Sequence, residues 1–205
     1  MIQILGMQDF AAIVVWTGAL VFVLAAVAIA VLAIRLQQPI VALFGLLPVG
    51  LGILAIALGI RDTFPAPAPW PGLVALALAA LAIIGGNPLT VWVLGRAAKG
   101  DVDGGDHGGI LVAEPTAKGA TSTTKTREVL RGGTWIGYLE RLAVVGAIAV
   151  GHFEIVAAVI AIKGLGRFSE LDAPEARERF IIGTLVSMTW AALCGALIVL
   201  PVVTA

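Results

Sequence analysis

The chain has 205 residues, 60% of them hydrophobic and 13% charged, with 13 basic residues against 13 acidic ones. Soluble domains carry about 25% charged residues, so a water-soluble fold of this size could not cover its apolar surface, and a mean hydropathy of +1.03 points to lipid as the solvent. The neutral balance carries no electrostatic footprint for nucleic acid, and the single cysteine, Cys194, excludes an internal disulfide and reads as a small buried hydrophobe.

A membrane-crossing helix needs about 20 apolar residues. Residues 10–34 supply a first run without a charge, ended by Arg35. Asp9 stands where a secretory leader would be basic, and the run is too long for one, so no cleaved leader is expected. A second run covers 40–60, with Pro48 inside it and glycines dispersed along it. Small residues allow close helix packing in lipid, so a bent packing helix is expected; a broken helix lining a site is the alternative. The alternating prolines of 65–71 favour a stiff extended connector, and Trp70 opens a third span, 70–94, at the headgroup level. Within it Gly85-Gly86-Asn87-Pro88 predicts a kink or a break, because Pro88 lacks the donor that a helix needs there.

Residues 95–133 turn abruptly to Gly, Thr, Lys and Asp and form the main water-facing segment, expected to be partly disordered. Its Asp101–His107 stretch alternates aspartate with glycine, but lacks the regularity and the distal glutamate of a calcium loop, so it reads as a solvated linker. The fourth span is 135–162 and the fifth 180–203, joined by a charged, partly amphipathic connector that suits a short interfacial helix. The expected fold is therefore an all-α integral membrane bundle of about five transmembrane helices, one domain with a polar loop. With five spans, seven basic residues (Arg35 and those of the long loop) oppose five (Arg61, Lys163, Arg167, Arg177 and Arg179). The positive-inside rule then puts the 95–133 loop in the cytoplasm and the N-terminus outside, in a cell (inner) membrane.

Ionisable residues inside a span are costly and mark function, and the fourth span holds several. On one continuous helix Arg141, His152 and Lys163, spaced by 11, would share a stripe, with Glu140 and Glu154 on another. Glu154, well inside the span, is the candidate proton or ion group, with His152 beside it; the plain alternative is a fixed bond that locks the bundle. Glu140 and Arg141, near the interface, read as docking ion pairs, as do Arg167 and Glu170. Lys163, Arg177 and Arg179 suit lipid headgroups. No nucleophile–base pair, metal spacing, phosphate loop or haem-like histidine pair occurs, so no enzyme activity, metal or cofactor is expected.

The runs Ile136–Arg141, Ile162–Leu171 and Ile182–Ser187 resemble a bacterial polytopic membrane family, a domain of unknown function, with the pattern I-G-x-L-E-R, A-K-S-x-x-R-F-x-E-L and I-G-T-L-x-S. This chain departs from it at Ile162 and Gly164, where the pattern has Ala and Ser, and at His152 and Arg179. The resemblance implies that Glu140, Arg141, Lys163, Arg167, Phe168, Glu170 and Thr184 act together, with Glu140 and Arg141 paired across helices. Two functions are expected from different classes. One is a small carrier or channel for protons or small solutes that uses Glu154. The other is a noncatalytic scaffold or accessory subunit whose charged fourth helix docks a membrane partner or a second copy.

Overall fold

The computed structural model of the chain describes residues 2–65, 67–97, 110–113, 126–129, 133–166 and 174–203. Helix α1 (Ile2–Arg35) runs without a proline. It stops where Gln37 turns left-handed at φ 54° and the N–H groups of Gln37 and Gln38 cap the carbonyls of Ile34 and Ala33; Pro39 then ends any continuation. A short 3-10 segment, Pro39–Gly45, leads into α2 (Leu46–Ala57). Pro48 falls in the first turn of α2, where a missing N–H costs no helical bond, so the expected bend is replaced by a change of helix type. Gly59, at φ +64°, closes α2 and starts the single turn α3 (Ile60–Thr63).

Helix α4 (Trp70–Ala97) passes through the Gly85–Pro88 stretch unbroken. It is the hub of the bundle and packs against α1, α5 and α7. In the polar loop, β1 (Ile110–Ala113) and β2 (Thr126–Val129) pair antiparallel, Ile110 opposite Val129, as a two-stranded ribbon. The Asp101–His107 stretch lies outside the described residues.

The fourth span differs most from expectation. Residues 135–162 are not one helix but two, α5 (Gly133–Ala149) and α6 (Phe153–Gly166), folded back on each other. Gly151 sits at φ +76°, a conformation that glycine adopts without a Cβ penalty. Its N–H reaches Ile148 O at 3.1 Å and that of His152 reaches Ala147 O at 2.8 Å, the paired bonds that terminate a helix at a left-handed glycine. The interfacial helix expected between spans four and five is absorbed as well: Lys163 belongs to α6, while Arg177 and Arg179 begin α7 (Pro174–Val203).

This hairpin reverses the direction of the chain beyond it. Gly183 of α7 faces Thr90 and Leu94 near the end of α4, while Trp190 lies against Gly85 and Leu81. Helices α4 and α7 are thus antiparallel, and α7 starts at the loop end of the bundle. Arg177 and Arg179 therefore sit toward the same end as Arg35 and Arg96, not opposite them as five simple spans would require.

The core between α1, α4, α5 and α7 is built of Leu81, Val144, Trp190, Ala191 and Cys194. Among the described residues, four helices are long and apolar enough to cross a membrane: Gly6–Arg35, Pro39–Ala57, Trp70–Ala97 and Ala176–Val199. Their outward faces carry large exposed apolar side chains such as Phe10, Leu51, Leu76 and Leu185, which suit hydrocarbon and not water. The chain is an all-α, multi-pass membrane protein. The 17 residues of α5 and 14 of α6 span only about 25 and 21 Å, so the hairpin is shorter than those four.

Candidate functional site

Arg141, one helical turn after Gly137 on α5, points between α4 and α7 and is only 3% exposed. Its Nε donates to the carbonyl of Ile83 at 2.8 Å, and its Nη1 donates to the hydroxyl of Ser187 at 2.9 Å. The guanidinium also lies 5.3 Å from the centre of the Tyr138 ring, within cation–π range.

Two glycines make the space. A Cβ at Gly86 would stand 2.5 Å from Arg141 Cδ, and one at Gly137 would stand 3.2 Å from Nη1. Gly86 thus has a packing reason, close approach of a cation to a helix backbone. Pro88 contributes too: without an N–H it cannot bond the carbonyl of Ile84, in the same turn as Ile83. Thr90 Oγ1 donates to Gly86 O at 2.7 Å, so this stretch of α4 is unusually rich in backbone–side-chain bonds.

The neighbouring residue, Glu140, turns the other way. Its carboxylate accepts from Lys163 Nζ across the hairpin, with both side chains largely buried. Lys163 also lies 5.8 Å from the Phe180 ring. This corrects the sequence expectation that Lys163 reaches for headgroups: on the folded-back α6 its nearest anion is Glu140. Glu140 is an ion-pair residue, while Arg141 is held by a carbonyl and a hydroxyl, both across helices. A groove of about 380 Å³ between α5 and α6 has this pair in its wall, flanked by Leu139, Ala143 and Ile162.

Glu154 is displaced from its expected place. It lies in the first turn of α6, next to the Gly151 turn, outside the four long helices, and its side chain is 72% exposed. His152 Nδ1 is 2.6 Å from Glu154 Oε1. The residue's own backbone N–H, then the His152 ring, hold this carboxyl below its ordinary range, with burial opposing weakly. Residues two apart meet here because a turn, not a helix, carries them. The stripe of Arg141, His152 and Lys163 likewise dissolves when the chain doubles back.

Arg177 is exposed and Arg179 half-buried in the first turns of α7. Arg167, Phe168 and Glu170 lie outside the described residues. No group of three or more His, Cys, Asp or Glu among the described residues could hold a metal ion. A larger cavity, about 500 Å³, opens among α1, α2, α4 and α7, lined by apolar groups including Trp16, Phe22, Phe64 and Leu197. None of the charged residues of the cluster lines it. At its edge Trp16 Nε1 donates to Phe64 O at 3.0 Å, tying α1 to the connector.

Sequence reasoning overlooked Ser187, Tyr138 and Gly86 as site residues. Ser187 and Tyr138 did lie within the segments that carry the family resemblance, and the structure brings those segments together: Glu140 to Lys163, and Arg141 to Ser187. Comparison with protein-family models, curated proteins and solved structures finds no match for this chain.

Proposed function

We propose that this protein is a small, noncatalytic carrier or channel for small solutes or protons in a bacterial cell membrane. Its polar site is the Glu140–Arg141–Lys163–Ser187 cluster, not Glu154 alone. One observation carries the reading: Arg141 is buried among membrane helices with no carboxylate of its own. An ionisable residue so placed is costly and is kept where it serves a solute path. His152 and Glu154, at the exposed hairpin turn, would then form the mouth of that path. Arg35, Arg96, Arg177 and Arg179 toward the loop end, against Arg61 near the other, support a cytoplasmic 98–132 loop. Arg177 and Arg179 would meet anionic headgroups there.

Reconstituted protein under imposed ion and solute gradients tests the reading. Flux in the wild type that disappears in folded Arg141→Gln, with Glu154→Gln keeping part of it, is the expected result. Absence of flux across varied ions and small solutes would sink it. A specific observation favours the second reading, a scaffold or accessory subunit: α6 has no fully buried residue and exposes Ile155, Ile160, Ile162 and Leu165, an apolar surface open to a membrane partner or a second copy. Copurification of one defined partner, lost on changing the α6 surface, would establish that reading instead.

A further inference from the structure

Among the described residues, the charged groups enclosed within the bundle at this level are Glu140, Arg141 and Lys163. Glu140 is committed to Lys163, so the cluster carries two cations against one carboxylate. Arginine stays protonated in proteins, so Arg141 cannot shed its charge as a buried lysine can. A buried ion without a countercharge is costly, and neutral acceptors such as Ile83 O and Ser187 Oγ relieve only part of that cost. Arg141 also has unused capacity. Its Nη2 is buried and has no hydrogen-bond partner, and the same is true of Thr184 Oγ1.

These two atoms lie on packed helices, α5 and α7. Thr184 precedes Ser187 by one turn on α7, and residues three apart share a helix face with about 5–6 Å between their Cβ atoms. Ser187 already touches Arg141 Nη1 at 2.9 Å, so Thr184 shares the face of α7 that meets the guanidinium. A water there would satisfy hydrogen bonds but leave the charge unbalanced. We infer that Arg141 Nη2 and Thr184 Oγ1 bind a small monovalent anion, of halide or carboxylate type, as the counter-ion of this cluster. The inference deepens the carrier reading by naming its solute class and rests on it for transport, though binding can be tested separately. The site is closed in this conformation. Access requires the α5–α6 hairpin to shift, and α6 contributes no fully buried residue to the bundle.

The experiment is thermal unfolding of the purified full-length protein in detergent, with chloride, bromide, nitrate or formate replacing gluconate at constant ionic strength. Binding predicts a saturable rise in midpoint, about 3–6 °C at ten times Kd. Arg141→Gln should abolish the rise, and the isosteric Thr184→Val should weaken the apparent affinity at least fivefold. Equal midpoints in all the salts overturn the inference. Should Arg141→Gln fail to fold, an unchanged anion response in Thr184→Val overturns it as well. Anion-dependent stability without flux in liposomes supports the site and removes the carrier. Flux without anion-dependent stability removes the site and leaves the carrier.

Discussion

Arg141 Nη1 on α5 donates to Ser187 Oγ on α7 at 2.9 Å, and the same guanidinium reaches back through Nε to the Ile83 carbonyl of α4. One side chain therefore ties three helices together. Replacing Arg141 by Ala should destabilise the protein by about 2–5 kcal/mol, since a large buried side chain and its two hydrogen bonds are lost together. Ser187→Ala should cost only about 0.6–1.7 kcal/mol, the range for a single interhelical bond in lipid. Denaturant titration of both variants in the same detergent checks the ordering, and a larger loss in Ser187→Ala would contradict it.

Gly86 sets how closely α5 approaches α4. Because an added Cβ would fall 2.5 Å from Arg141 Cδ, Gly86→Ala should cost about 1–3 kcal/mol by overpacking. Gly50→Ala is the control, as nothing stands within 4 Å of a Cβ there. Equal unfolding midpoints for the two variants would show that Arg141 does not occupy the space beside Gly86.

The Glu140–Lys163 pair closes the hairpin. Removing either partner leaves a largely buried charge uncompensated, so Glu140→Gln and Lys163→Met should each cost about 3–5 kcal/mol. The double variant should recover part of that loss. A double-mutant cycle measures the coupling, and additive losses would mean that the two residues are not partners.

Gly151 holds the reversal between α5 and α6. With φ at +76°, Gly151→Ala should cost about 1–2 kcal/mol. Cysteines introduced at positions 140 and 163 of a background with Cys194→Ala test the hairpin directly: crosslinking by a short reagent is expected, while a continuous helix would keep them far apart.

Glu154 gives a pH signature. Its carboxyl is lower in the folded chain than its ordinary 4.5. The stability it contributes is therefore present above that ordinary value and is lost as pH falls through the folded one. Glu154→Gln should lower the unfolding midpoint slightly at pH 7 and leave it unchanged below the folded value. His152→Ala should shrink the difference, because the imidazole supplies one of the two bonds. A Glu154→Gln effect that persists undiminished at low pH would contradict the assignment.

The amino-acid sequence alone determined the solvent and the helical class, because in lipid the backbone must satisfy itself within long apolar segments; α1 (Ile2–Arg35) starts eight residues before the apolar run that announced it. The sequence also held the signal for the hairpin, Gly151 followed by a helix-start glutamate. In an otherwise apolar stretch, however, the length of 135–162 matched one crossing as well as two short legs. Tertiary structure decided between them, through the Lys163–Glu140 pair and the docking of Arg141 on Ile83 and Ser187. Those partners lie 23, 58 and 46 residues away, beyond the reach of any local pattern. Glu154 looked buried because depth was counted along one straight helix. Once the chain turns at Gly151, this group, well inside the sequence span, becomes exposed, and the pair assigned to the interface moves into the packed interior.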